Sequence, residues 1–232
     1  MINSESLYLY EEILLLALKD KEGTFFPMVN YHFAIGGAIL AELLLSKKIV
    51  LESSKKAKYI KLIDGTPFGD SILDESLDKI RNSKKRARIE TWINRFANLK
   101  NLKHRAAEKL CWRGILKADE DTVLLIFKRK IYPEVNLIPE AKLIERLRHA
   151  IFTNTEDINS RTVILLSIAK STGLLNVLFS KKELKDHKKR IDQIVNGEIT
   201  GKATKEAIEA MHAAIMITCI IPTIITTTAV TS

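Results

Sequence analysis

The chain has 232 residues, 46% of them hydrophobic and 28% charged, and this balance predicts a folded globule and excludes an intrinsically disordered chain. The net charge is +9, from 37 Lys and Arg against 28 Asp and Glu, which favours an anionic partner such as lipid headgroups, nucleic acid or acidic protein. Neither Cys111 nor Cys219 has metal-ligand spacing, and no secretory signal is recognised, so a reduced cytosolic setting is expected.

The first part of the chain predicts two helices and a β-hairpin. Residues 7–18 are apolar on all sides, which predicts a deeply buried helix that ends near Gly23. Residues 29–45 carry apolar side chains at i, i+4 and i+8 and predict a second helix. Residues 48–51 and 59–62 have the length and composition of short strands joined by a polar turn.

The next feature is an acidic motif formed by Asp70, Asp74 and Glu75. Asp70 and Asp74 are four apart, so they could direct two carboxylates at one metal ion, but no His or third ligand is near in the sequence. Asp is also a preferred N-cap residue. Helix capping and surface charge are therefore the favoured interpretation, and no metal site is predicted.

The positive charge is concentrated in residues 81–113, which hold eleven Lys or Arg and two Glu. A long basic helical region is predicted here, closed by Gly114. Lys100 and Lys103 lie three apart and predict a shared helix face, with His104 one turn beyond Lys100. These residues are candidates for binding a phosphate; the alternative is a solvated basic face without a ligand.

A denser basic run consists of Arg81, Lys84, Lys85, Arg86 and Arg88. It is either a binding surface for anionic lipid or a solvated loop, and the sequence leaves both interpretations open.

A second helix-plus-hairpin unit follows, similar in pattern to the first and typical of winged-helix modules. Its predicted strands are residues 114–116 and 123–127, joined by the polar residues 117–121. Its apolar run, residues 123–127, breaks the alternation of a half-buried strand and is followed by three cations. Leu124, Leu125 and Phe127 are therefore candidates for membrane insertion. A strand buried on both faces predicts the same run.

The remainder is predicted to be helical. Residues 210–232 contain no Asp, Glu, Lys or Arg and approach the length of a membrane span. His212, Pro222 and several Thr favour a buried final helix over that alternative. The other predicted helices cover residues 138–152, 161–171, 174–179 and 181–195, with the last helix starting near residue 203.

The sequence contains no recognisable catalytic machinery. It has no nucleophile elbow, phosphate loop or Cys/His cluster, so no enzyme, cofactor or metal is predicted. The five widely scattered histidines are His32, His104, His149, His187 and His212. The predicted fold is mainly α, a helical single domain over residues 1–232 with small β-hairpins in winged-helix-like units. Its parts are a first helix-plus-hairpin unit (1–80), a basic helix with the apolar hairpin (81–133) and a helical core (134–232).

Several stretches together resemble the Golgi phosphoprotein 3 (GPP34) family. No single stretch is decisive, but their order and spacing cover most of the chain. They are LYLYEEILLLALKD (7–20), ILAELLLSKKIVL (39–51), TPFGDSILDESL (66–77), LKNLKHRAAEKLCWRGIL (99–116) and residues 123–133.

The resemblance implies a cytoplasmic, peripheral membrane protein that recognises phosphatidylinositol 4-phosphate, inserts a hydrophobic hairpin and holds membrane-protein cytoplasmic tails for sorting. The family's pocket tryptophan falls on Pro27, beside Phe25 and Phe26, and its arginine falls on Gly36. The second pair of family arginines falls on Lys100 and Lys103, where the charge is kept but the bidentate fork is not. With the family's basic N-terminal extension also missing, a divergent, bacterial member is expected.

The sequence thus predicts binding of phosphoinositide or other anionic lipid headgroups, with Lys100, Lys103, His104, Phe25 and Phe26 as the headgroup-binding residues. A homo-oligomer stays open. The main alternative is a winged-helix-like nucleic-acid-binding protein, which is disfavoured because residues 99–110 offer mostly Lys, Ala and Leu rather than base-reading side chains. An interaction scaffold for an acidic protein is the third alternative.

Overall fold

A computed structural model describes residues 6–27, 29–53, 58–123, 127–199 and 205–219. Over these residues the protein is mainly helical, as predicted, with two small antiparallel sheets. The helices are α1 (Leu9–Ala17), α2 (Tyr31–Leu45), α3 (Ser71–Arg81), α4 (Ile89–Ala97), α5 (Leu102–Trp112), α6 (Ile138–Phe152), α7 (Ser160–Ser171), α8 (Leu175–Leu178), α9 (Lys181–Asp186), α10 (Lys188–Val195) and α11 (Lys205–Ile215). The strands are β1 (Ile49–Ser53), β2 (Lys58–Leu62), β3 (Asp119–Val123) and β4 (Phe127–Ile131), and a 3₁₀ helix covers Met216–Cys219.

Helix α2 lies at the centre of the core and packs against α1, α4 and α11. The backbones of α2 and α4 approach so closely that a Cβ added to Gly36 would lie 2.6 Å from the Ile93 carbonyl oxygen. All nine residues of α1 are buried, as its apolarity predicts. The core therefore depends on small residues where α2 meets its neighbours and on large aliphatic side chains elsewhere.

The final helix buries one face in the core, as described over residues 205–219, and leaves Ile208 and His212 exposed. Ala210, Ala213 and Ala214 of α11 and Ile217 beyond it are inaccessible to solvent, and α11 packs on α2 and α7. Among the described residues, no helix is both long and apolar enough to cross a bilayer. Residues 220–232, which the sequence analysis also considered, lie outside the described ranges.

Two of the buried helices carry glutamates that are paired with arginines. Glu11 accepts a hydrogen bond from Arg113 Nε at 3.1 Å. Arg161 lies between Glu12 and Glu42, with its Nε 3.3 Å from Glu12 Oε1 and its Nη2 3.1 Å from Glu42 Oε2. Removing one partner from such a buried pair typically costs about 3–5 kcal/mol because a charge is left uncompensated. These pairs fix how α1 and α2 sit against α5 and α7.

The basic segment is not the continuous helical region that the sequence predicts. Helix α4 ends at Ala97 and α5 begins at Leu102, because Asn101 adopts a left-handed backbone with φ of 54°, which cannot continue a right-handed helix. The predicted end at Gly114 is confirmed, since Gly114 has φ of 68° and the Ile115 N–H donates back to the Leu110 carbonyl at 3.0 Å.

Both units contain a helix and a hairpin, but the second hairpin is formed by other residues than those predicted. In the first, residues 49–51 and 59–62 lie in the paired strands as predicted, with Ile49 opposite Leu62. In the second, the strands are β3 and β4 and Val123 pairs with Phe127, so the predicted strands 114–116 and 123–127 are wrong. A single strand buried on both faces is also wrong for residues 123–127, because Val123 ends β3 and Phe127 begins β4.

The acidic motif caps a helix, as favoured. Asp70 is the N-cap of α3 and its Oδ1 accepts hydrogen bonds from the Ile72 and Leu73 N–H groups at 3.0 and 2.9 Å. Asp74 accepts from the preceding loop, where the Phe68 N–H lies 2.6 Å from its Oδ1. The Asp70 carboxylate thus satisfies backbone donors that the start of a helix leaves free, and Asp74 fixes the loop before the helix to its first turn.

Candidate functional site

A cleft of about 500 Å³ brings together side chains from four separate segments of the chain. We call it the aromatic cleft. Its lining comes from the loop after α1, the start of α2, the start of α5 and the end of the second hairpin. The lining residues are Gly23, Thr24, Phe25, Phe26, Pro27, Tyr31, Lys103, His104, Lys128, Arg129, Lys130 and Tyr132.

A tight turn after α1 builds one wall of the aromatic cleft. The Lys19 N–H donates to the Thr24 carbonyl and the Gly23 N–H donates back to the Lys19 carbonyl, both at 2.8 Å. Gly23 has φ of 60°, and a Cβ there would lie 2.2 Å from the Pro133 nitrogen, so only glycine fits. Gly23 therefore does not end α1, as the sequence suggested, but lets this turn pack against the segment after β4, where the Tyr132 N–H donates to the Gly23 carbonyl at 2.9 Å.

Aromatic and histidine rings form two walls of the aromatic cleft. Phe25 stacks on Tyr31 with 4.0 Å between ring centroids, and Tyr31 in turn contacts the His32 ring at 3.9 Å. Across the cleft, His104 Nδ1 lies 2.8 Å from the Tyr132 hydroxyl. The predicted aromatic contribution from Phe25 and Phe26 is therefore present in the cleft lining, although the family's tryptophan position is occupied by Pro27.

The cations at the cleft fall into two groups. Lys128, Arg129 and Lys130 of β4 each lie opposite a carboxylate, at 3.6 Å from Glu120, 2.6 Å from Asp121 and 3.5 Å from Glu108, respectively. These are exposed pairs, which contribute about 0–1 kcal/mol. Within the described part of the chain, the half-buried Lys103 forms no ion pair. Its ammonium group is thus available to an incoming anion.

The environment keeps the other polar groups of the cleft neutral. Burial lowers the pKa of His104, and the nearby charges of Lys103 and Lys130 lower it further. The pKa of His32 is lowered by burial and then by Lys103. Burial, followed by the charge of Glu108, raises the pKa of Tyr132 to about 12. Tyr132 therefore stays protonated, and its hydroxyl forms a hydrogen bond with His104 Nδ1.

This arrangement can bind an anion of limited size with an apolar neighbour. A single unpaired ammonium supplies charge and three rotatable donors, which suits a phosphate. Tyrosine and histidine rings supply flat surfaces with polar tips. The described lining contains no Ser, Cys, Asp or Glu side chain, and its cations and rings are groups suited to holding an anion.

One predicted contributor lies outside the cleft. Lys100 is exposed and precedes the Asn101 N-cap of α5, so the predicted helix face shared with Lys103 is wrong, and Lys100 does not line the cleft. Its role in headgroup binding stays a prediction. Gly36, on which the family's arginine falls, is buried between α2 and α4, where a larger side chain would meet the Ile93 carbonyl.

The basic run lies at the first hairpin and does not reach the aromatic cleft. Arg81 pairs with Asp78 and donates to the Gly65 carbonyl. Arg86 pairs with Glu52 and its guanidinium lies 5.3 Å from the Tyr59 ring centroid. Local carboxylates thus neutralise part of this run, while three exposed cations remain: Lys84, Lys85 and Arg88.

The candidate insertion residues are only partly covered by the structure. Leu124 and Leu125 lie outside the described residues, and Phe127 is described as a β4 position paired with Val123. The cleft residues that the sequence analysis missed are Tyr31 and Tyr132. No local pattern marks them, because they are about a hundred positions apart and meet only through the turn at Gly23.

The fold and this site define a mainly helical protein with two helix-plus-hairpin units and a cleft lined by aromatic and cationic side chains beside the second hairpin. The chain belongs to the Golgi phosphoprotein 3 (GPP34) family, whose sequence model matches residues 9–211. This confirms the predicted family. The family consists of non-enzymatic adaptor proteins, which supports the prediction that the chain is not an enzyme.

A curated relative is the vacuolar protein sorting-associated protein 74 of Eremothecium gossypii. The two sequences are 32% identical over 132 residues, which is 49% of this chain and 40% of the relative. The match therefore spans well under half of the relative's length. The expectation of a divergent, bacterial member stays a prediction.

Proposed function

We propose that this protein is a peripheral membrane protein of the cytoplasm that binds the phosphorylated headgroup of an anionic lipid in the aromatic cleft, with a phosphatidylinositol 4-phosphate-like headgroup as the ligand. The observation that carries the proposal is Lys103, a half-buried ammonium between two aromatic walls with no carboxylate partner in the described chain. Family membership supports the same class of ligand. The name of the relative supports a further role as an adaptor in membrane-protein sorting.

The charges around Lys103 favour a phosphate. The three β4 cations lie on the same cleft and have only weak, exposed partners, which a phosphate can replace at little cost. The Tyr132 hydroxyl and the ring edge of His104 add polar contacts. Lysine binds phosphate as a point charge without the planar selectivity of arginine. We therefore expect a preference for phosphorylated headgroups over a strict choice of one inositol phosphate.

The apolar hairpin supplies the second anchor in this proposal. One weak membrane contact gives only marginal, reversible binding, so stable attachment needs two. Residues 124–126 join the paired positions Val123 and Phe127, directly before the cations at the cleft. Support for insertion of Leu124, Leu125 and Phe127 comes from their apolar character in the sequence and from this connection.

Nucleic-acid binding receives less support. A recognition helix needs free side chains for base edges and phosphates. On α5, Arg105 and Lys109 pair with Glu75 and Asp70, and Arg113 pairs with the buried Glu11. The cations of α5 are thus used largely within the protein.

The test compares Lys103→Glu with Lys100→Glu in co-sedimentation with vesicles of phosphatidylcholine containing phosphatidylinositol 4-phosphate. Reversal at Lys103 changes two charge units, each worth about 1 kcal/mol near an anionic surface, so we expect a loss of affinity of about 30-fold. Lys100→Glu makes the same change in net charge outside the cleft and should have a several-fold smaller effect.

Two controls distinguish the proposal from its rivals. Equal losses in both variants would contradict a specific site and indicate attraction by overall charge. Leu124→Ser with Leu125→Ser should weaken vesicle binding even at matched salt, whereas an acidic-protein scaffold would be unaffected. Tighter binding to duplex DNA than to vesicles in a parallel gel shift would favour the nucleic-acid alternative.

A further inference from the structure

Three carboxylates meet where three segments of the chain converge behind the aromatic cleft. Asp20 lies in the turn after α1, Glu134 follows β4, and Glu140 is in the first turn of α6. The Glu134 N–H donates to the Asp20 carbonyl at 2.8 Å, which holds two of these segments together. One carboxylate oxygen from each of the three residues lies within 4.8 Å of the others. We call this group the acidic cluster.

Two members of the acidic cluster have carboxylates shielded from solvent, and among the described residues neither has a compensating partner. Glu140 is only 7% exposed, and within the described ranges its carboxylate takes part in no hydrogen bond or ion pair. Both Oε atoms of Glu134 are inaccessible to solvent and have no hydrogen-bond partner. Buried polar groups are paired in the great majority of cases, so two neighbouring acids without partners need an explanation.

Neighbouring side chains do not neutralise these acids. The pKa of Glu134 is raised to about 7 by burial and by the charge of Asp20. Burial and then the charges of Glu134 and Asp20 raise the pKa of Glu140 to about 8. Within the described ranges no Lys or Arg lowers either pKa, so the ionised carboxylates are unfavourable here unless a cation or a proton compensates them. Lys19 is next to Asp20 in sequence, but its ammonium lies 3.8 Å from Glu22.

We propose that Asp20, Glu134 and Glu140 form a binding site for a hard divalent cation of the calcium class. Carboxylate oxygens are the ligands that such cations take. A Ca²⁺ ion with ligands at about 2.3–2.6 Å spans oxygens up to about 5 Å apart, so it fits the observed cluster without a rearrangement of the segments. Exposure of Asp20 gives a path from solvent.

Such an ion would tie the cleft wall to the helical core. Asp20 is in the turn that contains Gly23, and Glu134 is two residues beyond Tyr132. Gly23 and Tyr132 both line the aromatic cleft, whereas Glu140 belongs to α6. The site is distinct from the cleft itself, and its cation binding is measured without any lipid.

The test is thermal unfolding of the full chain in rising CaCl₂, with KCl at matched ionic strength as the reference. A ligand at a hundred times its Kd stabilises the folded state enough to raise the Tm of a chain of this size by about 5–10 °C. We expect that rise in the unaltered protein and its loss in Glu140→Gln. Glu145→Gln, an exposed position on the same helix, should keep the full rise.

A second variant covers the case in which Glu140→Gln does not fold. Asp20→Asn changes an exposed side chain and keeps the backbone hydrogen bond to Glu134. Titration calorimetry should show a Ca²⁺ affinity at least tenfold weaker than that of the unaltered chain. Binding of one Ca²⁺ per chain, lost in either variant, supports the site. The proposal is overturned if Ca²⁺ produces no shift beyond KCl, or if Asp20→Asn binds Ca²⁺ as the unaltered chain does.

Discussion

The two helix-plus-hairpin units share a sequence pattern but play different parts in the molecule. In the first unit, β1 contacts α2 and α11 while β2 contacts α3 and α4, and Ile49 and Ile60 are buried. In the second, β3 and β4 pair with each other and no helix packs closely on their described residues. The first hairpin is part of the core, and the second carries the cations of the aromatic cleft.

The difference shows that two hairpins with similar sequence patterns can have different roles, depending on whether helices pack against them. The first hairpin is rich in apolar residues and buries Ile49 and Ile60 in the core. The second has charged residues along both strands, with cross-strand pairs such as Asp121 with Arg129, and so gains little from burial. A strand pair with so few tertiary contacts is suited to a surface that meets a partner.

The largest effect is expected from disturbing the first unit. Gly36→Ala places a methyl group against the Ile93 carbonyl, where a Cβ has only 2.6 Å, and overpacking of this kind costs about 1–3 kcal/mol. Denaturant unfolding of the variant should show this loss, while vesicle binding by the folded protein stays unchanged. Unaltered stability would show that α2 and α4 can separate freely, contrary to a rigid first unit.

A smaller effect is expected from the charges of the second unit. Neutralising Lys128, Arg129 and Lys130 together should lower the affinity for phosphatidylinositol 4-phosphate vesicles about tenfold or more. Each cation contributes roughly 1 kcal/mol near an anionic surface, and the weak ion pairs that these cations form within the protein offset part of that contribution. A control that neutralises Lys58 and Lys61 of the first hairpin, and is compared with the pair Lys128 and Lys130, should change affinity less than about twofold. Similar losses from both hairpins would remove the functional distinction between them.

The smallest effect is a pH dependence from His104. The pKa of His104 is lowered by burial and by the charges of Lys103 and Lys130, and is raised only by Glu108. The ring is therefore neutral at pH 7.5 and gains a proton only at a pH below the ordinary pKa of histidine. A bound phosphate favours the protonated ring, so vesicle binding should strengthen about two- to threefold when the pH is lowered from 7.5 to 5.5.

The control for this prediction is His104→Gln, which keeps a polar side chain beside Tyr132 but does not titrate. Its affinity should be flatter over the same pH range, and headgroup protonation would affect both proteins alike. An identical pH profile in the two proteins would exclude His104 from the binding step.

Local features of the fold followed from the sequence because their causes are local. The burial of α1, the Asp70 cap and the end of α5 at Gly114 each depend on a few neighbouring residues. The first hairpin was predicted for the same reason. The apolar run of the second hairpin was misassigned, since whether Val123 and Phe127 belong to one strand depends on cross-strand pairing, which a run of apolar residues does not encode.

For the site, the sequence by itself determined the ingredients: the basic residue Lys103, its neighbour His104 and the rings of Phe25 and Phe26. Only the tertiary structure decided which of them meet. It brought Tyr132 to His104, left Lys100 outside the cleft and buried Gly36 against α4. The physical reason is that these contacts join positions up to about a hundred residues apart, so they depend on how the segments pack.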